Sequence, residues 1–428
     1  MDARVSPKAN PSSTFESDVR EIVLAEHVRA AGVSDAVAGV QPSYVVEPGT
    51  EPELAKVLTL ANGAGMAVIP RGGGTKLEWG NSPARGDVIL STARLNRVLE
   101  HAWADLTVSV EAGCTIAKLQ DTVAKHGQRL ALDALWPERA TVGGVLSTND
   151  SGALRLRFGS LRDLVIGVTI ALADGMVASS GGKVVKNVAG YDLPKLVTGA
   201  FGTLGVITRA IFRLHPLPKE TRSISCVTKD VGEAQRLLLA IQNSKLAHSA
   251  LQICCQAAME TRVDVLLEGI EAGVTAQTEV LKSIMGAATI GDGDVWNARQ
   301  EIFSAGKGSE SEFAIGKFAC LPAQIAETIE TVATLRADKL RWSVVAQATG
   351  VGFVRLEGAV STLAAGLRKM REWLEAREGS LVIVHQPAGM VEMDAWGKTG
   401  DALPLMSAVK RQFDPLGTLN PERFVGGI

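Results

Sequence analysis

Length, composition and charge place this chain among globular proteins and exclude several classes. Its 428 residues are 46% hydrophobic, which is enough for two or three domains with sizeable cores. The formal net charge of −2, without any block of Lys or Arg, gives no electrostatic footprint for nucleic acid or for an anionic membrane surface. The 5 cysteines lack C-x-x-C spacing, so we expect neither structural zinc nor an iron–sulfur cluster in this chain.

We expect no signal peptide and no membrane span from the sequence. No apolar run in the chain is long enough to span a bilayer, and residues 1–20 lack the apolar core of a signal peptide. We therefore expect a cytoplasmic protein without a transmembrane segment. Residues 1–15 are expected to be a disordered lead-in, followed by a helix with apolar positions at Val19, Ile22 and Val23.

A glycine-rich loop follows a predicted βαβ unit. Residues 44–46 and 66–69 have the apolar pattern of strands, and between them Thr50 and Glu53 form a capping box that predicts the start of a helix. The loop after the second strand consists of Pro70, Arg71, Gly72, Gly73, Gly74 and Thr75. Bare glycine backbones let several N–H groups point at one anion, so this loop is a candidate phosphate site, and a tight turn is the alternative.

A second glycine cluster carries further neutral donors. Gly143 and Gly144 follow Thr141, and a run of Ser, Thr and Asn residues comes soon after. Hydroxyl, amide and backbone donors of this kind can surround a diphosphate without a lysine-rich pocket. Neither loop is a G-x-G-x-x-G fingerprint, and residues 199–205 lack the Gly-Lys-Ser/Thr of a P-loop, so the ordinary nucleotide motifs are absent.

The sequence pattern changes near residue 220. Before it, strands such as 106–110 and 165–172 alternate with turns and short helices, which indicates a mixed α+β or α/β region. After it, strands are predicted at 262–268, 316–320, 352–357 and 381–385, and helices at 232–242, 275–285, 323–337, 362–376 and 405–413. This alternation favours an antiparallel sheet with helices on one face. The predicted divisions are 16–220, 221–393 and a C-terminal segment 394–428.

Three further segments, residues 181–194, 199–208 and 413–421, carry a family resemblance. With the two glycine loops, their order and spacing resemble the FAD-binding domain of vanillyl-alcohol-oxidase-type flavoproteins over about residues 40–220 and the C-terminus. Within that superfamily the chain is most similar to the FAD-binding E subunits of bacterial glycolate oxidases, on residues 186–193 and 419–428. The resemblance implies an α+β fold with a two-lobed PCMH-type FAD-binding domain, a smaller antiparallel α+β cap domain of ferredoxin-like type, and a C-terminal segment that returns to the FAD-binding domain.

The resemblance also implies which residues hold FAD. The implied cofactor-binding residues are Pro70, Arg71, Gly72, Gly73, Gly74, Thr75, Pro137, Thr141, Val142, Gly143, Gly144, Thr148, Asn149, Gly152, Lys186, Asn187, Ile207 and Asn420. In this assignment the two glycine loops wrap the diphosphate, and Thr148, Asn149 and Gly152 line the flavin side. Ile207 offers backbone groups to the adenine end, and Lys186 or Asn420 approaches the isoalloxazine.

The sequence departs from the family pattern at two places, and each departure changes an expectation about FAD binding. Covalent members attach FAD through a histidine beside the first glycine loop or a cysteine near the second. This chain has Thr75 and Lys76 at the first place and Arg139 and Ala140 at the second, so FAD is expected to be non-covalent. In the tail, Glu422 stands where the family commonly has the glycine of Asn-Pro-Gly, which weakens the assignment of the last turn.

Candidate catalytic residues are few. Relatives that oxidise 2-hydroxy acids usually carry a metal site rich in histidines and carboxylates, but the 6 histidines here form no H-x-x-H or Glu-His pair, so no metal site is expected. His385 follows a predicted strand and is a candidate base facing the flavin, although a lone histidine is more often structural. Trp296 and Arg299 share a predicted helical face, where Arg299 is a candidate for binding a substrate carboxylate, and a solvated arginine over a core tryptophan is the alternative.

Three functions remain open on these residues. In the first, the chain is the FAD-binding subunit of a glycolate-oxidase-type complex, with a larger FAD-containing catalytic subunit, an iron–sulfur subunit and a small, glycolate-like 2-hydroxy acid as substrate. Such partners would bring the chain to the inner face of the cell membrane. In the second, it is a self-sufficient 2-hydroxy acid dehydrogenase, in which Arg299 binds the carboxylate and His385 takes the hydroxyl proton. In the third, it is a structural subunit that holds FAD without catalysis.

Overall fold

The computed structural model describes residues 11–183, 191–256, 261–291, 293–304, 312–335, 339–390 and 393–428. The helices are α1 (Pro11–Val23), α2 (Glu51–Gly63), α3 (Ile116–Ala124), α4 (Val142–Thr148), α5 (Arg155–Phe158), α6 (Leu161–Leu164), α7 (Leu193–Val197), α8 (Val231–Gln242), α9 (Glu271–Met285), α10 (Ala298–Glu301), α11 (Ile325–Thr334), α12 (Val360–Glu375) and α13 (Leu403–Phe413). The strands are β1 (Val28–Ala30), β2 (Tyr44–Val46), β3 (Val68–Arg71), β4 (Val88–Ser91), β5 (Val98–Ala102), β6 (Thr107–Glu111), β7 (Gln128–Arg129), β8 (Val165–Ala171), β9 (Val177–Gly181), β10 (Val206–Arg213), β11 (His215–Pro216), β12 (Glu220–Thr228), β13 (His248–Gln256), β14 (Thr261–Gly269), β15 (Thr289–Gly291), β16 (Phe313–Ala319), β17 (Arg341–Gln347), β18 (Val351–Glu357) and β19 (Ser380–His385).

The first sheet contains the predicted βαβ unit. Its strand order is β1-β2-β4-β3, and β4 pairs in parallel with both β2 and β3. Helix α2 begins after Thr50, whose side-chain oxygen accepts a hydrogen bond from the Glu53 amide at 3.3 Å, as the capping pattern predicted. The helix buries one apolar face against the sheet, and the glycine loop follows directly after β3.

Helix α1 starts earlier than the sequence indicated. It begins at Pro11, so the predicted disordered lead-in over residues 1–15 was wrong for its last part. The physical reason is Phe15, which is 4% exposed and packs in the same core as Val19 and Val23. Residues 1–10 lie outside the described part of the chain.

The second sheet is antiparallel, with strand order β5-β6-β10-β8-β9. One of its faces packs on α3, α4 and α6 through a core that includes Val110, Leu119, Leu146 and Ile170. Helix α4 therefore rests on β6 and β10, and its first turn contains Gly143 and Gly144 of the second glycine cluster.

The third sheet has eight antiparallel strands in the order β15-β12-β14-β13-β17-β18-β16-β19. Helices α8, α9, α11 and α12 cover one face, in agreement with the alternation predicted after residue 220. The opposite face contributes Ile315, Phe353 and Val384 to a smaller core with Trp79 and Leu135 of the N-terminal region. The mixed α+β fold expected from the sequence is thus confirmed, and the third sheet lies directly against the residues that follow the glycine loop.

The C-terminal segment is bound to the first sheet. The Val68 amide donates to the Thr418 carbonyl at 2.7 Å, and the Asn420 amide donates to the Val68 carbonyl at 3.0 Å. The ammonium of Lys410 donates to the carbonyls of Thr203 and Leu419 and to the Asp414 carboxylate. These contacts place Asn420 next to the glycine loop.

Candidate functional site

An open cleft lies between the first two sheets and the C-terminal segment. Its empty volume is about 700 Å³ with the open solvent at its mouth included. Its walls include these predicted cofactor residues: Pro70, Arg71, Gly72, Gly73, Gly74, Thr75, Thr141, Gly143, Gly144, Thr148, Ile207 and Asn420. The structure therefore brings together both glycine loops, the start of β10 and the tail, which are far apart in sequence.

Other predicted residues lie behind the cleft walls. Val142 is fully buried in the core, and Asn149 ends α4 in a left-handed conformation. The Gly152 amide donates to the Asp133 carboxylate at 2.8 Å, and the Pro137 carbonyl accepts a hydrogen bond from Ala117. These four residues shape the loops without lining the cleft. Lys186 and Asn187 lie outside the described residues.

Several lining residues escaped the sequence analysis. They are Lys76, Leu77, Thr92, Ser147, Phe201, Gly202, Gly205, Val206 and Arg423. Phe201 and Gly202 lie in a segment that carried the family resemblance, and Ser147 follows the second glycine cluster. All three therefore had a sequence signal. Thr92 follows β4, where nothing in the sequence marks a ligand site.

The two glycine loops touch each other, and this contact requires glycine. A Cβ atom at Gly72 would overlap the side-chain oxygen of Thr141, and a Cβ at Gly73 would overlap the carbonyl oxygen of Arg139. Within the described residues, the amides of Gly72, Gly73 and Gly74 donate no hydrogen bond. Three backbone donors therefore remain available at one point of the cleft, which suits a phosphate.

The remaining polar groups of the cleft also fit FAD. The side-chain oxygen of Asn420 and the Nε of Arg423 are buried without a hydrogen-bond partner. Arg71 donates to the Asp35 carboxylate at 2.7 Å, and Arg29 shares that carboxylate, so the pair of arginines keeps a positive charge that favours a diphosphate. Neither histidine nor cysteine lines the cleft among the described residues, which is consistent with the predicted non-covalent attachment.

A buried cluster of charges lies beside the cleft. The Asp150 carboxylate receives the Lys76 ammonium at 3.1 Å and the Arg299 guanidinium at 2.8 Å, and all three side chains are at most 8% exposed. Burial alone would raise the pKa of Asp150, but Lys76 and Arg299 outweigh it and lower that pKa to about 2. Burial lowers the pKa of Lys76, and Asp150 opposes that shift. Asp150 is therefore ionised and shared between two cations.

A third cation, Lys317, joins this cluster from the third sheet. Lys317 lies on β16, on the sheet face that carries Ile315 and packs toward Trp79. Its ammonium lies 5.8 Å from the centre of the Trp79 ring. Burial lowers the pKa of Lys317 to about 8, and the neighbouring Arg299 contributes to that shift while Asp150 opposes it.

The cations are enclosed by aromatic rings. The Lys76 ammonium lies 5.7 Å from the centre of the Trp79 ring and 5.3 Å from that of Trp136. Phe303 stacks on Trp79 and contacts Phe353 edge to face. Such rings exclude water and stabilise positive charge, so a small anion placed here would interact strongly with the lysines.

Arg299 has its own partners. Besides Asp150, its guanidinium donates to the carbonyls of Ser151 and Asp133. Arg299 is 6% exposed, so the alternative of a solvated arginine was wrong. Trp296 points elsewhere, since its indole N–H donates to Ser223 at 2.9 Å.

His385 connects the third sheet to the N-terminal region. Its Nδ1 lies 2.8 Å from the Glu78 carboxylate, and its ring stacks on Phe313 with centres 4.3 Å apart. A register shift between β16 and β19 pairs His385 with Ile315 and so places it on the Lys317 side of the sheet. The hydrogen bond from His385 lowers the pKa of Glu78.

The described residues contain neither a metal-binding cluster nor a membrane-spanning helix. No group of three or more His, Cys, Asp or Glu side chains there is arranged to hold a metal ion, and the expectation of no metal stays a prediction. No helix in the same residues has the length and apolar character needed to cross a bilayer.

Comparison with known proteins gives the cofactor. Residues 42–181 match the family model described as FAD binding domain. The glycolate oxidase subunit GlcD of Bacillus subtilis is 32% identical over 50% of this chain and 46% of its own length, so the match spans about half of that relative. The D-2-hydroxyglutarate dehydrogenase of Bos taurus is 28% identical over 89% of this chain and 76% of its own length.

Solved structures share the fold. A p-cresol methylhydroxylase with bound substrate superposes with a TM-score of 0.76 at 15% identity, covering 97% of this chain and 97% of that one. At this identity the likeness concerns the fold alone. The predicted cofactor is confirmed by the family match. The chain thus contains an FAD-binding domain on a mixed α+β fold similar to that of p-cresol-methylhydroxylase-type flavoproteins, and its cofactor is FAD.

Proposed function

We propose that the chain is an FAD-dependent oxidoreductase that oxidises a small 2-hydroxy acid, glycolate or D-lactate, to the 2-oxo acid, as the FAD-binding subunit of a glycolate-oxidase-type complex. The observation that supports the substrate class most strongly is the group of three cations, Lys76, Lys317 and Arg299, beside the cleft. Lys76 and Arg299 share the Asp150 carboxylate, and Lys317 adds a third positive charge beside them. Burial raises the pKa of the other carboxyl beside Arg299, that of Asp133, so this pocket favours one further negative charge.

The substrate carboxylate is assigned to the two lysines. The Arg299 guanidinium already bonds Asp150 and two carbonyls. The Lys76 ammonium has one carboxylate partner, Asp150, and the Lys317 ammonium forms no ion pair among the described residues. Arg299 is then a positioning residue, because it fixes Asp150 and through it Lys76. This assignment moves the carboxylate-binding role predicted for Arg299 to its neighbours.

His385 is assigned as the acceptor of the hydroxyl proton. With Nδ1–H donated to Glu78, the neutral ring carries a free lone pair on Nε2. When bound, FAD would accept the electron pair that leaves the α-carbon of the substrate. The aromatic rings around Lys76 keep water away from the carboxylate.

Membership in a complex is supported by the similarity to a protein named as a glycolate oxidase subunit. A larger flavoprotein and an iron–sulfur subunit are the proposed partners, because the 5 cysteines of this chain lack the spacing for a cluster. The second candidate, a self-sufficient dehydrogenase, is favoured by the match to the D-2-hydroxyglutarate dehydrogenase over 89% of this chain and by the charged pocket that the chain forms alone.

One experiment separates these functions from a purely structural role for FAD. The chain is purified alone and co-expressed with the proteins of the adjacent reading frames, and each sample is mixed anaerobically with glycolate or D-lactate. Bleaching of this chain's flavin in the assembled sample alone supports the subunit. Bleaching at a full catalytic rate in the isolated chain supports the self-sufficient enzyme, and retained, unbleached FAD in both samples supports the structural role.

A further inference from the structure

Helix α13 carries apolar side chains that the described residues leave partly or largely exposed. Of its 11 residues, all of them described, the one buried side chain is Lys410. Leu405 is 70% exposed, and Met406 and Val409 are half-buried. A helix on a globular protein normally buries its apolar residues, so this arrangement indicates a surface built for contact.

These residues form one wall of a groove. The groove lies between α13, α7 and the loop at residues 198–204, and its empty volume is about 720 Å³ with the open solvent at its mouth included. Its charged lining residues are Arg162 and Lys195, both cationic. Lys195 is paired with Asp192 at 2.9 Å, and Arg162 donates to the Thr198 carbonyl, so Arg162 keeps a net positive charge at the edge of the groove.

The groove and the FAD cleft share their dividing wall. Phe201 and Gly202 line the cleft, while their neighbours Ala200 and Thr203 line the groove. The tail repeats this arrangement, with Arg423 on the cleft and Phe424 on the groove. A molecule seated in the groove therefore lies one loop away from the cofactor.

We propose that this groove binds an amphipathic helix of a different subunit, whose apolar side covers Leu405, Met406 and Val409 and whose flanking carboxylates meet Arg162. This inference rests on the proposed complex and assigns the surface at which it forms. A second copy of the chain fits less well, because α13 contains no Asp or Glu and a symmetric contact would bring Arg162 of each copy toward the other.

The test uses the full chain co-expressed with the second flavoprotein of the adjacent reading frames, with an affinity tag on that flavoprotein. Leu405→Glu places a charge in the apolar groove, and Arg162→Glu reverses the edge charge. Leu416→Glu is the matched control, since Leu416 is 62% exposed and lies outside the groove lining. The FAD content of each variant shows that its fold is intact.

We expect Leu405→Glu to weaken co-purification at least tenfold and Arg162→Glu to weaken it several-fold, with Leu416→Glu and FAD content unchanged. Equal recovery of Leu405→Glu and wild type would overturn the groove as the docking surface while leaving the complex in place. If the wild-type chain does not bind the flavoprotein, the groove as docking surface and the complex itself are both overturned. If the chain forms a homodimer that Leu405→Glu dissociates, the groove binds a second copy of the chain and not a different subunit.

Discussion

The ammonium of Lys76 lies 3.1 Å from the carboxylate of Asp150, and this ion pair connects the FAD cleft to the charged pocket. Lys76 lines the cleft directly after the first glycine loop, and Asp150 follows the second glycine cluster. On its other side Asp150 binds Arg299 of α10, which belongs to the part of the chain that carries the third sheet. One carboxylate therefore holds the cofactor loops and the proposed substrate pocket in a fixed arrangement.

Replacing Asp150 by Asn is expected to destabilise the protein by about 3–5 kcal/mol, because two buried cations lose their shared counter-charge. Urea unfolding measures this loss. The pKa of Asp150 is lowered to about 2, so its stabilisation is present above pH ~4 and is lost as the pH falls toward 2. Glu16→Gln, which removes the exposed ion pair with Arg20, is the control and should change stability by less than about 1 kcal/mol. A fully stable Asp150→Asn variant would argue against the ion pairs.

Lys317→Met should weaken the binding of oxalate, an unreactive dicarboxylate, by roughly 10- to 100-fold, the effect of one charge-assisted hydrogen bond. In the wild type, oxalate affinity should fall as the pH rises through about 8, because Lys317 then loses its proton. The variant should lose this part of the pH dependence. Changes in the flavin spectrum on titration with oxalate measure both effects, and an unchanged pH profile in Lys317→Met would exclude Lys317 as the anion ligand.

Gly73→Ala should abolish FAD retention, since the added methyl group overlaps the Arg139 carbonyl oxygen and separates the two glycine loops. The ratio of flavin to protein absorbance after purification is the measurement. Gly63→Ala is the matched control, because Gly63 lies at the end of α2 and a Cβ there meets nothing within 4 Å. That variant should retain FAD fully; FAD retention by Gly73→Ala would show that the loops need not touch.

Lys410→Met should loosen the tail and accelerate FAD dissociation. The Lys410 ammonium donates to the carbonyls of Thr203 and Leu419 and so ties the loop that contains Phe201 to the tail that contains Asn420. The substitution also leaves the buried Asp414 without its cation, which costs several kcal/mol. The exposed neighbour Arg411, replaced by Met, serves as the control. FAD release is followed by the rise of free-flavin fluorescence on dilution. Equal release rates in the two variants would contradict a role of Lys410 in holding the cleft closed.

Local patterns in the sequence were sufficient for the secondary structure near the cleft. The Thr50 cap, strand β2 and the glycine loop were predictable because each depends on neighbours within a few residues. The family motifs then identified many, but not all, of the residues that line the cleft. Glu422, which replaces the family's glycine, adopts a left-handed conformation with φ of 65°, so the tail keeps the turn despite the substitution.

The charged pocket could not be predicted in the same way. Lys76, Asp150 and Lys317 are separated by long stretches of sequence, and each looks like an ordinary surface residue until the third sheet brings them together. Arg299 was singled out for its aromatic neighbour Trp296, but its partner is Asp150. Long-range pairing of this kind depends on how the sheets pack, which a single sequence does not reveal.

The role of Lys317 in binding the substrate carboxylate is tested most directly by the anaerobic reaction of glycolate and D-lactate with the FAD-loaded complex, comparing wild type and Lys317→Met at equal FAD content. We expect at least one of the two acids to bleach the wild-type flavin of this chain, and we expect bleaching in Lys317→Met to be slower by tenfold or more. Retained FAD that neither acid bleaches in the wild type, or equal bleaching in both proteins, would contradict this role.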